Sequence, residues 1–339
     1  MDIKAALHKI ADRRDLTGEE MRGVMRTIMA GEATPSQIGA FLMGMRIKGE
    51  SVGEIAAAVS ILREQMVKVD APEHAIDIVG TGGDGGGTLN ISTASAIVVA
   101  AAGVPVAKHG NRALSSKSGA SQALEALGVN INLSPAEISR SINDVGIGFM
   151  FAPAHHPAMR HVGPSRAEMG VRTMFNLLGP QSNPAGVRRY MLGVYSQEWV
   201  EPVAAALLAN RAVKAWVVHG CDGLDEITVT GPSFVAQIAD GDLRSFEVTP
   251  EQAGLKRHDG KELLGGDPQY NAQAIHDLFD GAPGAYRDVV LLNSAAALIV
   301  ADKVADLREG VEAAAAVIDG GHAKNTLARL VAVSNGRDG

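Results

Sequence analysis

Ala75-Ile-Asp-Ile-Val-Gly80 runs straight into Thr81-Gly-Gly-Asp84-Gly-Gly-Gly-Thr88-Leu-Asn90-Ile-Ser92-Thr93, and this junction decides the fold. A short apolar run closed by glycine reads as a buried strand. Ser92–Ala102 beyond it has helical character, and Val104–Ala107 reads as another strand. Working outward, Gly146–Phe151, Tyr190–Tyr195 and Val213–His219 are further strand candidates, with helical stretches between most of them, notably Glu198–Asn210. Strands alternating with helices predict an α/β fold with a mainly parallel sheet flanked by helices. Ile227–Thr230 and Phe234–Ile238, split by Gly231-Pro232, predict an antiparallel excursion.

Upstream of the junction, residues 1 to about 70 read as helices only. Thr17-Gly-Glu-Glu20 is a capping box, and Gly31 stops the helix it starts. Thr34-Pro35-Ser-Gln37 starts the next, with proline at the first helical position. Ser51-Val-Gly-Glu54 starts a third, running to about Gln65, and Ser134-Pro-Ala-Glu137 caps a later one. The C-terminal part is helical again over about Pro268–Phe279, Tyr286–Ala301, Val304–Ile318 and Ala323–Val333. The expectation is therefore a small helical lobe (1–70, completed by a mid-chain helical segment) and a larger α/β lobe (71–339). A cleft between lobes is a common ligand site.

The 339 residues suit about two domains. Hydrophobic residues at 46% suffice for a real core. With 31 basic and 38 acidic residues the net charge is −7, which argues against a nucleic-acid coat or a polybasic membrane patch. Cys221 is the only cysteine, excluding an intrachain disulfide or a multi-thiolate zinc site. The charged N-terminal residues lack the apolar core of a secretory signal, and Ala94–Ala107 is too short and too broken to span a bilayer. A cytoplasmic protein is expected.

The glycines of 80–87 let the backbone approach a ligand closely and turn its N–H groups onto an anion. Ser92 and Thr93 open the following helix, whose N-terminus adds partial positive charge. Asn90, Ser92 and Thr93 add polar side chains, completing a phosphate cradle. A plain flexible turn needs neither so many glycines nor Asn-x-Ser-Thr after them. No Gly-Lys-Ser/Thr follows, so this is not a Walker loop.

Lys108-His109-Gly110-Asn111-Arg112-Ala113 follows the next strand, where ligands of α/β sheets bind. Lys108 and Arg112 bring charge, His109 and Asn111 hydrogen bonds. Ser115, Ser116 and Ser118 come next. Further on, Arg166 has the chemistry to grip a carboxylate with two parallel bonds, although a surface salt bridge explains it equally well from spacing alone. His155, His156 and His161 lack a metal-site spacing. Asp225 and Glu226 are adjacent hard oxygen ligands of the kind Mg²⁺ uses beside substrate phosphates, or simply a charged turn.

Taken in order, Gly80-Thr-Gly-Gly-Asp84, Asn90-Ile-Ser-Thr93, Lys108-His-Gly-Asn-Arg-Ala113, Arg172-Thr-Met-Phe-Asn-Leu-Leu-Gly-Pro180 and Asp222-Gly-Leu-Asp-Glu226 resemble the anthranilate phosphoribosyltransferase family over nearly the whole chain. The pyrimidine nucleoside phosphorylases share the fold and a related loop, and a non-catalytic nucleic-acid-binding relative is the third alternative. Asp77-Ile-Val-Gly-Thr-Gly-Gly-Asp84 fits the transferase better.

The resemblance implies transfer of phosphoribose from phosphoribosyl pyrophosphate to the anthranilate amine in tryptophan biosynthesis, and a homodimer through the N-terminal helices. It implies a phosphoribosyl pyrophosphate site of Gly80, Gly83, Asp84, Thr88, Asn90, Ile91, Ser92 and Thr93. Lys108, His109, Gly110, Asn111, Arg112, Ala113, Leu114, Ser115, Ser116 and Ala120 continue it. Mg²⁺ falls to Ser92, Asp225 and Glu226, and anthranilate to Gly80, His109, Asn111 and Arg166. Lys108 and Arg166 serve charge stabilisation and positioning, and no general base is required. The chain departs from the family after Gly119, reading Ala120-Ser121-Gln122 where Ser-Ala-Asp is frequent. Ser121 is the neighbouring hydroxyl that would substitute.

Overall fold

The computed structural model describes residues 2–82, 87–112 and 118–337. Seven strands form one sheet: β1 (Ile76–Gly80), β2 (Val106–Gly110), β3 (Ile147–Phe151), β4 (Arg189–Gly193), β5 (Lys214–Gly220), β6 (Ser233–Ala239) and β7 (Asp242–Val248). Their order is β3-β2-β1-β4-β5-β6-β7. The first five pair in parallel, and β6 and β7 join antiparallel at one edge. The chain builds outward from β1 in one direction through β2 and β3, then crosses to the other side of β1 for β4. Strand order therefore reverses between β1 and β4, which opens a crevice at their carboxyl ends.

Alternate residues divide the sheet between two apolar layers, because side chains alternate faces along a strand. Ile76, Ile78, Val106, Met191, Trp216 and Val218 pack under the helices Ile91–Ala101, Ala285–Val300 and Leu307–Asp319. Val79, Ala107, Tyr190, Leu192, Ala215 and Val217 face the opposite layer. That layer holds the N-terminal helices Ile3–Ala11, Gly18–Met29, Pro35–Lys48 and Val52–Gln65, with the mid-chain residues Val162, Met174, Phe175 and Leu177 in the same cluster. Burial on both faces explains the nearly unbroken apolar strands of the sequence.

The capping boxes at Thr17, Thr34, Ser51 and Ser134 all form. Two expectations need correction. Ile227–Thr230 is not a strand; the partner of β6 is β7, reached through Asp240 and Gly241, both with positive φ. That conformation suits a two-residue hairpin turn. The strand expected to end at Ala107 runs on to Gly110, because the ladder with β3 continues to Gly110 opposite Phe151. Lys108 and His109 thus lie inside a strand and are buried, not in a loop.

Candidate active site

Gly80 and Gly193 stand opposite each other at the ends of β1 and β4, at the crevice. Asp225 lies across both. A Cβ on Gly80 would collide with the Asp225 carboxylate, and one on Gly193 with its backbone carbonyl. The glycines are there because another chain segment crosses the strand ends. Asp225 is nearly buried, and its Oδ2 accepts the Gly82 N–H at 2.7 Å, joining the acidic loop to the glycine turn.

Side-chain hydrogen bonds hold this acidic loop in shape. Asp222 accepts the hydroxyls of Thr228 at 2.6 Å and Thr230 at 2.9 Å. Asn293 accepts the Ile227 N–H at 3.0 Å and donates to the Ile227 carbonyl at 2.8 Å. Asp225 and Glu226 are thereby fixed immediately before a clamped residue. Their charges reach Lys108, whose ammonium burial pushes down and whose neighbours Asp77, Glu226 and Asp225 hold up.

Lys108 Nζ donates to the Ile78 carbonyl at 2.6 Å and stands 3.4 Å from Ser92 Oγ. Ser92 opens the helix Ile91–Ala101, whose N-cap Asn90 makes no side-chain capping bond. The Ile91 N–H is taken by the Leu89 carbonyl at 2.9 Å, which leaves the N–H groups of Ser92 and Thr93 with capacity for a ligand. Ile91 and the Thr93 side chain are buried in the core, so of these two only Thr93 offers an anion its backbone N–H. Thr88 and Leu89 are pinned from outside. Leu89 N–H donates to the Leu263 carbonyl at 3.0 Å, and Gly265 N–H to the Gly87 carbonyl at 2.9 Å.

Below the strand ends, Asp77 is fully buried. Its Oδ1 accepts the His109 N–H at 3.1 Å and its Oδ2 the Asn183 amide at 2.7 Å. Burial outweighs these bonds and the Lys108 charge, and pushes the Asp77 carboxyl up to about 7. His109 packs beside His156 with ring centroids 5.2 Å apart. Burial, and then the neighbouring histidines, lower His109 well below its ordinary range; His156 falls to about 4. Both rings are neutral near pH 7. Their Nε2 atoms are buried without a hydrogen-bond partner among the described residues. His155 is engaged structurally, its Nδ1 2.8 Å from the Val67 carbonyl.

Arg166 lies on the short helix Gly163–Met169, half-buried, with its guanidinium 5.4 Å over the Phe175 ring. No described carboxylate pairs with it, which removes the surface salt bridge as its explanation. Arg112, by contrast, is exposed, bonds Glu125 at 3.1 Å and sits over Phe151. Asn111 accepts the Arg112 N–H at 2.8 Å. Gly110 has no room for a Cβ against Phe149. At the departure from the family pattern, Gln122 accepts the Gly119 N–H at 3.1 Å and so caps its own helix. Ala120 opens that helix, and Ser121 is fully buried, so its hydroxyl does not replace one at position 120.

The structure thus brings Gly80, Asp225, Ser92 and Lys108 together at the switch point, while Arg166 is carried by a different element, the helix Gly163–Met169. Gly83, Asp84, Ala113, Leu114, Ser115 and Ser116 fall outside the described residues. Sequence reading passes over Asp77 as a buried anchor, and Asn183, Asn271 and Asn293 entirely.

A family model described as glycosyl transferase family, a/b domain, matches residues 72–324, and one described as glycosyl transferase family, helical bundle domain, matches 4–66. The anthranilate phosphoribosyltransferase of Parvibaculum lavamentivorans is 59% identical over 337 residues, 99% of each chain. That of Nitrobacter hamburgensis is 56% identical over 335 residues, again 99% of each. Among solved structures, anthranilate phosphoribosyltransferase from Thermus thermophilus superposes with a TM-score of 0.93 at 44% identity, covering 99% of this chain and 100% of that one. The enzyme from Saccharomyces cerevisiae, solved in complex with PRPP and Mg, gives 0.90 at 26% identity over 98% of each chain.

Proposed function

The chain belongs to the anthranilate phosphoribosyltransferase family, and from that membership we propose that it transfers the 5-phosphoribosyl group of phosphoribosyl pyrophosphate to the amine of anthranilate, in tryptophan biosynthesis. The C–O bond to diphosphate breaks, a C–N bond forms, and the amine gives up one proton to solvent or to the departing diphosphate. The observation that carries the reading is the convergence at the β1–β4 switch point of an uncapped helix N-terminus, the buried Lys108 and the Asp225–Glu226 loop.

In this reading the phosphoribosyl pyrophosphate lies over Gly80 and the glycine turn, with Gly83, Asp84, Thr88, Asn90, Ile91 and the backbone N–H groups of Ser92 and Thr93 around it. Lys108 supplies charge near Ser92, and the segment from His109 to Ser116, with Ala120, borders the same ligand. An aryl amine attacks as the neutral species, so the site needs no general base. Its work is to stabilise the leaving diphosphate and to align the nucleophile. Arg166 takes the anthranilate carboxylate, with Gly80, His109 and Asn111 beside it; a guanidinium that pairs with no carboxylate among the described residues and the neutral His109 ring support this.

Mg²⁺ is assigned to Ser92, Asp225 and Glu226. No group of three or more His, Cys, Asp or Glu suited to a metal occurs among the described residues. Two carboxylates and a hydroxyl are instead the oxygen set Mg²⁺ takes when substrate phosphates complete its shell. When bound, the ion would neutralise charge developing on diphosphate.

The same proposal includes a homodimer through the N-terminal helices, supported by Met43 and Ile47 exposed on Pro35–Lys48. It divides the chain near residue 70, between the two family matches. It places the protein in the cytoplasm, where the exposed free Cys221 fits a reducing compartment. Anthranilate fluorescence tests the activity: it should fall only when phosphoribosyl pyrophosphate and Mg²⁺ are added. Turnover of uridine with phosphate, and none of anthranilate, would transfer the assignment to the phosphorylases.

A further inference from the structure

We propose that Asn271 is a positioning residue for the transfer: it fixes the Asn90 side-chain amide so that the nitrogen, not the oxygen, is presented to phosphoribosyl pyrophosphate. The inference rests on the reading that Asn90 borders that substrate.

One donor in the cluster has an identity beyond choice. Gly266 N–H donates to Asn271 Oδ1 at 2.8 Å. A backbone nitrogen cannot accept, so the Asn271 atom facing it is oxygen, and its Nδ2 must point the other way. That Nδ2 donates to Asn90 at 2.9 Å, which makes the Asn90 atom there Oδ1. The Ser118 hydroxyl donates to the same oxygen at 3.2 Å. Asn90 Oδ1 is thus saturated by two donors, and its Nδ2 has no partner among the described residues. A side-chain amide with its acceptor occupied and its two N–H groups free suits an anionic ligand.

The relay is built tightly. Asn271 is 1% exposed on the helix Pro268–Phe279. A Cβ on Gly265 would meet Asn271 Oδ1 at 2.8 Å and the Thr88 carbonyl at 2.6 Å, so only glycine lets the Gly265-Gly266 strap pass between them. Tyr286 OH donates to the Asn90 carbonyl at 3.2 Å and holds the backbone while Asn271 holds the side chain.

Asn271→Asp tests the orientation. A carboxylate there still accepts the Gly266 N–H but has no donor for Asn90, which turns its nitrogen toward the carboxylate and its oxygen toward the diphosphate. Exchanging a charge-assisted bond for a repulsion should raise the KM for phosphoribosyl pyrophosphate about tenfold or more. The KM for anthranilate should stay within about twofold. Asn271→Ala, which frees the amide to rotate without reversing it, should give a smaller rise in the same KM. Calorimetric affinity for phosphoribosyl pyrophosphate should fall in the same order. Asn90→Asp controls the premise: it keeps both donors and sets a charged oxygen against the ligand. If Asn90→Asp weakens that substrate and neither Asn271 variant does, the positioning role is overturned and the cleft assignment stands. If Asn90→Asp changes nothing, the cleft assignment at Asn90 falls and the inference with it. Should Asn271→Asp fail to fold, Asn271→Ala with unaltered calorimetric affinity would equally overturn the proposal.

Discussion

Replacing Arg166 with alanine should separate the two substrates. The guanidinium is half-buried, drawn below its ordinary pKa by that burial, and without a carboxylate among the described residues. A carboxylate arriving there forms a charge-assisted, partly desolvated pair, and removing one partner of such a pair costs about 2–5 kcal/mol. At about 1.4 kcal/mol per tenfold, partial exposure places the expected loss in kcat/KM for anthranilate at about a hundredfold to a thousandfold. The folded state loses mainly the contact with Phe175, worth about 0.5–1 kcal/mol, which shifts the melting temperature by only a few degrees. Unfolding is therefore too small an effect to account for the kinetic loss. Steady-state kinetics with each substrate varied in turn, beside a thermal melt, measure both. Equal rises in KM for anthranilate and phosphoribosyl pyrophosphate, or no change in either, would refute the assignment of Arg166.

Asp225→Asn combined with Glu226→Gln should shift the Mg²⁺ activation curve to higher concentration, since two hard anionic ligands become neutral ones. An unmoved titration would remove the pair from the metal site. Asp77→Asn should flatten the dependence of stability on pH. Its folded-state pKa of about 7 lies above the ordinary value of 3.8, so the proton is held more tightly in the folded protein. The stabilisation is full below pH ~4 and is lost as pH rises through about 7, on the order of 4 kcal/mol in all. Urea melts at pH 5 and pH 8 should show a steeper decline for the parent than for the variant, and matching slopes would count against a buried, proton-binding Asp77.

The sheet's central strands are legible in the sequence because both of their faces are buried, which leaves continuous apolar runs between turn signals. The edge strand β7 is not, since Asp242–Val248 is largely exposed and carries no apolar alternation. Its one local mark is Asp240-Gly241, a hairpin dipeptide standing after an apolar run. The extent of β2 is hidden for a different reason: Lys108 and His109 look like loop residues until Asp77, Ser92 and the Ile78 carbonyl supply their partners. Of the site, the glycine turn and the acidic pair announce themselves by composition. The amides that hold them do not. Asn183 meets Asp77 across 106 positions, Asn271 meets Asn90 across 181, and Asn293 meets Ile227 across 66. A lone asparagine says nothing about a partner that only the fold supplies.

Placing the activated sugar itself is the most direct measurement. A crystal of this protein soaked with phosphoribosyl pyrophosphate and Mg²⁺ should show diphosphate density beyond the carboxyl ends of β1 and β2, against the Ser92 backbone, with the ion between it and Asp225–Glu226. Density for the compound on another face, with the Gly80–Gly193 crevice holding only solvent, would contradict the proposed site at its base.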